Sequence, residues 1–173
     1  MTPAELDAVE EALRRLEAAW LPAPPGEAVH FGYVPLSLAE FLSGLEICRR
    51  HAPGRRFLDL GCGIGRAMLL ASGLGWDVTG IEHYAPYAAS ARSLVPEATV
   101  LECEAEQFGG YDRFDVVYSF RLCVDDRDQL ALEQRIVSRM HPGAVIFLGH
   151  RTLPEPVGGE SLGENCWRVV GRS

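Results

Sequence analysis

Lysine is absent from this sequence, so all 16 basic residues are arginines, and the 24 acidic residues leave a net charge of −8. A surface of that sign repels phosphate backbones and anionic membranes over long distances. Nucleic acid is therefore disfavoured as the main partner. A neutral or cationic small-molecule substrate fits the charge better.

Long apolar runs are also missing. No segment approaches the roughly 18 to 20 consecutive apolar residues of a membrane helix. The chain opens with the acidic stretch MTPAELDAVEE, where a secretory signal would be basic. We therefore expect a cytoplasmic protein that does not enter a membrane.

The cysteines do not follow the pattern of a disulfide framework or of a metal site. There are 5 of them, scattered along the chain, with no CxxC pair and no histidine at metal-ligand spacing. Reduced and mostly buried thiols are expected, and no metal site is predicted.

The length of 173 residues is enough for one hydrophobic core and short for two ordinary domains. We predict one domain, residues 1–173, which divides into three parts. Residues 1–54 form N-terminal helices and a lid, residues 55–150 the core, and residues 151–173 a tail with the last strand. A monomer or a homodimer is expected.

Two capping patterns predict helices before the core. Thr2 with Pro3 and Glu5 begins the first helix, and Ser37 with Glu40 begins the second. Apolar residues recur at three- and four-residue steps after each pattern, as on the buried face of an amphipathic helix.

From residue 56 onward, short β runs alternate with helical segments. The runs are RFLDL, WDVTGI, ATVLE, FDVVYSF and AVIFLGH, and helices are predicted at about 65–74, 86–94 and 127–140. Strands that are apolar on both faces and separated by helices are typical of an α/β fold. We predict a doubly wound, mostly parallel sheet of the Rossmann-like type. Ligands of such sheets bind outside the carboxyl ends of the strands, so the segments that follow the strands should converge on one crevice.

The end of the chain departs from this alternation. The segment RTLPEPVGGESLGE is rich in proline and glycine, and only NCWRVVGR after it is predicted to be a strand. We expect a shortened or irregular C-terminal hairpin.

The stretch FLDLGCGIGR ends the first core strand and begins a helix. Gly61, Gly63 and Gly65 follow the spacing G-x-G-x-G, whereas the dinucleotide fingerprint G-x-G-x-x-G requires a glycine where this sequence has Arg66. Asp59, just before the glycines, is a poor neighbour for pyrophosphate and a good one for an ammonium group. The pattern argues against NAD, and a nicotinamide oxidoreductase stays as a minor alternative.

Acidic residues follow the next two strands. Glu82 ends the second strand, at about the 20-residue offset from the glycines at which an acidic residue binds ribose hydroxyls. After the third strand, Glu104 could accept a hydrogen bond from an adenine amino group while the backbone of Ala105 approaches the ring. Adenosine with an amino-acid tail is S-adenosylmethionine.

From about residue 30 to residue 150, the chain resembles the class I S-adenosylmethionine-dependent methyltransferases. LDLGCGIG looks like their glycine motif, GIEHY like their ribose-binding motif and ECEAEQF like their adenine motif. FDVVYSF and MHPGAVIF look like their fourth and fifth strands. The resemblance implies an enzyme that uses S-adenosylmethionine and releases S-adenosylhomocysteine.

The resemblance also implies roles for single residues. Asp59 would contact the ammonium group, directly or through water, while the glycine backbone holds the methionine end. Glu82 would bind both ribose hydroxyls, and His83 would pack on the adenine. Ser119 and Phe120 would line the transfer side. The residues assigned to the cofactor in this way are Asp59, Gly61, Cys62, Gly63, Gly65, Glu82, His83, Glu104, Ala105, Ser119 and Phe120.

Three of these assignments have alternatives. Asp59 could instead hold the glycine turn in its conformation, and Cys62 could be a small residue that fits tightly in the loop. Glu104 stands beside Glu102 and Glu106, and any of the three could be a solvated charge at the rim.

Methyl transfer is a direct displacement, so its main requirement is a nucleophile aligned at about 3 to 3.5 Å. A base helps when the nucleophile is a hydroxyl or an ammonium group. The main candidates for catalysis are His150, Tyr33 and His30, and Asp125 or Asp126 is a further candidate. Arg121 could bind an anionic group of the substrate, or it could pair internally with Asp125 or Asp126.

The predicted function is methyl transfer to an O or N atom of a small molecule, because a minimal acidic domain with a short lid suits a small acceptor. The segment SFRLCVDD lacks the Asn/Asp-Pro-Pro-Tyr/Phe signature of many nucleic-acid base methyltransferases. Two alternatives stay open. One is a methyltransferase of protein side chains such as lysine, and the other is a non-catalytic partner subunit that binds S-adenosylmethionine.

Overall fold

The computed structural model describes residues 3–20, 37–149 and 158–171. Its α-helices are α1 (Pro3–Trp20), α2 (Leu38–His51), α3 (Arg66–Gly73), α4 (Ala85–Leu94) and α5 (Asp126–Arg139). Its strands are β1 (Arg56–Leu60), β2 (Asp77–Glu82), β3 (Thr99–Glu102), β4 (Val116–Phe120), β5 (Val145–Gly149), β6 (Glu160–Gly163) and β7 (Cys166–Arg168). None of the helices within these ranges is both long and apolar enough to span a bilayer.

All strands belong to one 7-stranded sheet with the order β3-β2-β1-β4-β5-β7-β6. Strands β1 to β5 run parallel, and β7 lies antiparallel between β5 and β6. The chain first builds outward from β1 to β3, then returns to the other side of β1 with β4. The predicted doubly wound α/β class is confirmed, and the strand order reverses between β1 and β4, where such sheets bind ligands.

The two faces of the sheet carry separate apolar clusters, because alternate residues of a strand point to opposite faces. Phe57 of β1 packs on the side of α2, α3 and α4, whereas Leu58 packs on the side of α5. On the first side, the rings of Phe41 and Phe147 stack at a centroid distance of 5.9 Å, and Tyr118 lies edge-on to Phe41 at 5.1 Å. The core strands are therefore covered on both sides, as the sequence pattern predicts.

The described helix starts agree with the sequence signals. Ser37 caps α2, with its hydroxyl oxygen accepting a hydrogen bond from the Glu40 N–H at 3.4 Å. α1 begins at Pro3, and Thr2, the predicted cap, lies outside the described residues. The Asp125 carboxylate caps α5 by accepting from two backbone N–H groups of the first turn.

The C-terminal hairpin corrects one expectation. Its first strand, β6, lies in the segment that the proline and glycine content marked as lacking a strand. The strand forms because Glu164 and Asn165, both with positive φ angles (48° and 56°), make a tight turn that pairs it with β7. The hairpin is short, and its register shifts between Ser161 and Gly163, so the expected irregularity is confirmed.

Gly44 of α2 allows that helix to approach the sheet closely. A Cβ atom at Gly44 would lie 2.3 Å from the Phe147 ring, whereas a Cβ at Gly73, at the end of α3, would meet nothing within 4 Å. We predict that Gly44→Ala lowers the free energy of unfolding by about 1 to 3 kcal/mol, because it overpacks the core. Gly73→Ala should change it by less than about 1 kcal/mol, or raise it. Urea unfolding of the two matched variants measures both effects, and equal stabilities would contradict the packing argument.

Candidate functional site

The glycine turn after β1 is folded back onto β2. The N–H groups of Gly61 and Cys62 both donate to the Ile81 carbonyl, at 2.8 and 2.9 Å. Gly61, Gly63 and Gly65 have φ angles of 68°, 55° and 92°, which residues other than glycine rarely adopt. The turn therefore requires its glycines for backbone conformation, and it leaves Gly61 exposed at the carboxyl end of β1.

Glu82, at the end of β2, anchors this turn from the side. Its side chain is buried, with the residue 5% exposed. Oε2 accepts a hydrogen bond from the Gly63 N–H at 2.9 Å, and Oε1 accepts one from the Tyr84 N–H at 2.8 Å. His83, the next residue, is exposed and places Nδ1 3.3 Å from Oε1. Each carboxylate oxygen keeps further acceptor capacity beyond the backbone bond that it makes.

Asp59 lies inside β1, two residues before the turn, and is only 2% exposed. Its Oδ2 atom is buried and has no hydrogen-bond partner among the described residues. Burial, and then the nearby charge of Glu82, raise the pKa of this carboxyl group to about 8. Such a carboxyl group is suited to a cationic ligand, which would stabilise its charged form.

The exit of β3 brings Glu104 and Ala105 to the same edge of the sheet. The N–H of Cys103 donates to the Glu82 carbonyl at 3.2 Å, which holds this exit beside β2. Ala105 begins the 3-10 helix Ala105–Gln107 and its carbonyl accepts from the Tyr111 hydroxyl at 2.7 Å. Its N–H is the first of that helix, where no intrahelical acceptor exists.

The three glutamates near this exit differ in exposure. Glu102 and Glu106 are exposed, and Glu102 has a carboxylate oxygen 3.8 Å from an Arg92 nitrogen. Glu104 is half-buried. Of the three carboxylates, Glu104 is therefore the one that combines solvent access with a position against the core.

Ser119 and Phe120 end β4, on the other side of the strand-order reversal. The Ser119 hydroxyl oxygen is buried and has no hydrogen-bond partner within the described part of the chain. Phe120 is half-buried. The structure thus places the predicted residues of the β1, β2, β3 and β4 exits along one edge of the sheet.

Cys62 is buried in the glycine turn and packs against β2. A Cβ atom at Gly80 would lie 2.8 Å from its Sγ atom, so the thiol occupies the space that this glycine leaves. Burial, together with the charges of Asp59 and Glu82, raises the pKa of the Cys62 thiol well above its usual range. A thiolate nucleophile is disfavoured at this position.

Arg121, directly after β4, is bound to its own loop. Its guanidinium group donates to the carbonyls of Cys123 and Val124, at 3.1 and 2.8 Å, and contacts the carboxylate of Asp126. The structure therefore shows the internal ion pair that was one of the two interpretations of Arg121. The partner is Asp126, because Asp125 caps α5 instead.

The candidate bases His30, Tyr33 and His150 lie outside the residues that the structure describes, and so does Arg151, the start of the tail. Their roles stay predictions. Within the described ranges, no group of three or more His, Cys, Asp or Glu side chains could hold a metal ion.

Sequence reasoning missed a buried polar pair on α5. Gln129 accepts at Oε1 from the N–H groups of Leu122 and Cys123, at 3.0 and 2.9 Å, and donates from Nε2 to Glu133 at 2.8 Å. The sequence did contain a signal for this pair, since both polar residues fall on the buried stripe of α5 that also carries Leu132 and Ile136. A polar pair on a buried stripe indicates a specific hydrogen-bonding task.

A second missed contact joins α1 to the glycine turn. Arg66, the first residue of α3, is 3% exposed and places Nη2 2.9 Å from Oε2 of Glu10 on α1. The two residues are 56 positions apart in sequence, so no local sequence pattern predicts the pair. Through it, the N-terminal helix is held next to the site.

Comparison with known proteins adds a family match. A family model described as a methyltransferase domain matches residues 57–143. No curated protein matches the sequence.

Many solved structures match this chain, and three of them, each less than 25% identical to it, show the fold alone. CalS10 of Micromonospora echinaspora, an amino pentose methyltransferase solved with S-adenosylmethionine, is 23% identical over 84% of this chain and 57% of its own, with a TM-score of 0.56. DesVI of Streptomyces venezuelae is 19% identical over 86% and 57%, with a TM-score of 0.54. The CcbJ methyltransferase of Streptomyces caelestis is 18% identical over 65% and 52%, with a TM-score of 0.54. The chain thus spans little more than half the length of each.

The raised pKa of Asp59 predicts a pH-dependent stability of the ligand-free protein. The folded state holds the proton up to about pH 8, whereas an unfolded chain loses it near pH 4. Between these values the folded state binds more protons, so the contribution of Asp59 to stability is lost as the pH rises.

We therefore predict that Asp59→Asn gains stability relative to the wild type as the pH rises from about 4 to about 8. Urea unfolding at several pH values measures the difference. Asp112→Asn, a change at an exposed carboxylate, is the control and should follow the wild type. Parallel curves for the wild type and Asp59→Asn would show that Asp59 does not titrate in this range.

Proposed function

The chain belongs to the methyltransferase domain family, and we propose on that premise that it transfers a methyl group from S-adenosylmethionine to an O or N atom of a small molecule. One observation carries the proposal. Two buried carboxyl groups, of Asp59 and Glu82, flank a glycine turn at the point where the strand order reverses. Such a pair suits a ligand that carries both a cationic group and ribose hydroxyls.

The residues present fit S-adenosylmethionine. The buried Oδ2 of Asp59, which has no hydrogen-bond partner among the described residues, matches the ammonium group of the methionine end. Glu82 has acceptor capacity left on both oxygens for two ribose hydroxyls. When bound, the cofactor supplies a methyl group on a sulfonium, which a nucleophile attacks directly.

The remaining cofactor residues would act by contact and orientation. The side chain of Glu104 and the N–H of Ala105 would bind the adenine edge, and His83 would pack on the ring. The backbone of Gly61 is exposed at the carboxyl end of β1 and would support the methionine end. Ser119 and Phe120 would line the transfer side.

The acceptor is proposed to be small and not anionic. The net charge of −8 disfavours phosphate-rich partners. Arg121, the cation nearest to the β4 exit in sequence, already binds a carbonyl of its own loop and the carboxylate of Asp126. A hydroxyl or amine acceptor would lose its proton to one of the candidate bases His30, Tyr33 or His150.

A protein acceptor is the second candidate, and the exposed carboxylates near the β3 exit favour it. Glu102 and Glu106 are exposed beside the half-buried Glu104, and a basic segment of another protein would be attracted to them. A non-catalytic partner subunit is the third candidate, in which the cofactor is bound and no transfer follows.

Removal of the Glu82 carboxylate tests the cofactor site. We predict that the wild type binds S-adenosylhomocysteine and S-adenosylmethionine in calorimetric titration, and that Glu82→Ala weakens both at least about tenfold. The reason is that a hydrogen bond to a charged group contributes about 1.5 to 3 kcal/mol. Glu102→Ala is the matched control, since Glu102 is the register partner of Glu82 on β3 and is exposed.

Two results would contradict this cofactor assignment. One is that Glu82→Ala binds the adenosyl compounds as tightly as the wild type does. The other is that NADH binds and the adenosyl compounds do not, which would support the nicotinamide alternative. Thermal unfolding of each variant separates lost binding from lost folding, because Glu82 also holds the Gly63 and Tyr84 N–H groups.

The acceptor class is tested with methyl-labelled S-adenosylmethionine and two extracts, one of metabolites and one of proteins. We expect the label in the metabolite fraction, with Glu82→Ala as the inactive control. Label in the protein fraction alone would support the second candidate. Tight binding without transfer to either extract would support the non-catalytic subunit.

A further inference from the structure

We propose that Gln129 is a positioning residue of the transfer site, which holds the Leu122 side chain against Gly61. The inference rests on the proposed function and deepens it, because it concerns how the site orients the amino-acid part of the cofactor. The observation behind it is a buried network of side-chain hydrogen bonds, which is separate from the backbone hydrogen bonds of the helices and strands.

Gln129 is a buried side chain, 3% exposed, on the first turns of α5. Its single carbonyl oxygen accepts from two consecutive backbone N–H groups, those of Leu122 and Cys123, at 3.0 and 2.9 Å. Its amide nitrogen donates to Oε1 of buried Glu133 at 2.8 Å. A backbone N–H that loses its acceptor inside a protein is costly, so this amide strongly determines the path of the loop.

The same loop, residues 121–125, is also held through its carbonyl groups. Arg121 donates to the carbonyls of Cys123 and Val124, at 3.1 and 2.8 Å, and the Asp125 side chain caps α5. N–H groups and carbonyl groups of the loop are thus bound by side chains of different residues. The loop is ordered by these contacts, although it contains no helix and no strand.

The consequence of this order is the position of Leu122. Its Cδ2 atom lies 2.3 Å from the point that a Cβ atom of Gly61 would occupy. Leu122 therefore takes the space that the first glycine of the turn leaves, and the exits of β1 and β4 are in direct contact. Because Gly61 is proposed to support the methionine end, Leu122 makes this side of the site apolar and limits where that end can lie.

The polar pair is not needed for packing of α5. Its neighbours on the same stripe, Leu132 and Ile136, are buried and apolar. An apolar side chain of similar size at position 129 would fill the same space, but it would leave the N–H groups of Leu122 and Cys123 without their acceptor. The hydrogen bonds of Gln129 to the loop are therefore best explained by the position that they impose on Leu122.

Two ligands separate positioning from general stability. S-adenosylhomocysteine carries the amino-acid tail, and 5′-deoxy-5′-methylthioadenosine is a nucleoside thioether without it. In calorimetric titration, Gln129→Leu should weaken S-adenosylhomocysteine at least about tenfold, and methylthioadenosine less than about threefold. Gln134→Leu, at an exposed glutamine of the same helix, should leave both affinities unchanged.

A second substitution keeps the test valid if Gln129→Leu does not fold. Leu122→Ala leaves the Gln129 network intact, because that network uses the backbone N–H of residue 122, and it should show the same selective loss of S-adenosylhomocysteine. Leu122→Met conserves volume and should restore near wild-type affinity for both ligands.

An equal loss of both ligands, or no loss of either, would overturn the positioning role. Failure of the proposed function itself has a different signature, since the wild-type protein would then bind neither adenosyl ligand.

Discussion

The carboxylate of Glu82 is the interaction on which the rest of the site depends. It binds the Gly63 N–H of the glycine turn and the Tyr84 N–H at the start of α4, while the carbonyl of the same residue accepts from Cys103 at the β3 exit. Three segments that follow three different strands are therefore joined at one residue. A buried carboxylate with two backbone partners, on a residue whose own carbonyl accepts a third N–H, determines the relative positions of these segments more strongly than packing alone.

That arrangement has an electrostatic consequence for the neighbouring strand. Asp59 is buried beside the charge of Glu82, and its pKa is raised to about 8. Two carboxyl groups in one desolvated site are unfavourable when both are ionised. A ligand with a cationic group removes this conflict, so the charge arrangement that costs stability in the free protein favours binding of such a ligand. Binding and folding are thus linked through one proton on Asp59.

Tertiary contacts bring segments from other parts of the chain to the glycine turn and to the helix that follows it. On one side, Leu122 lies against Gly61 and is held there by Gln129 of α5. On another, the Glu10–Arg66 ion pair holds α1 beside the first residue of α3. The turn is thereby in contact with elements from both faces of the sheet. A change in α5 or α1 therefore has a physical route to the glycine turn, through Leu122 or through Arg66.

Local chemistry made a large part of this structure predictable. The alternation of apolar runs with helical segments predicted the five parallel strands, because both periodicities are properties of short windows. The glycine spacing and the position of Glu82 predicted the turn and its acidic neighbour, because positive φ angles and strand ends have sequence signatures. The strand β6 was missed, since its stability comes from pairing with β7 across a turn without glycine at its two central positions.

The sequence by itself determined the fold class, the order of the core elements and the main residues at the strand ends. Only the tertiary structure decided that Gln129 binds the Leu122–Cys123 backbone, that Leu122 lies on Gly61 and that Arg66 pairs with Glu10. The physical reason is the separation in sequence between the residues that interact. Periodicity, capping and backbone conformation depend on neighbours in sequence, whereas these contacts join residues that become neighbours only when the sheet and its helices pack.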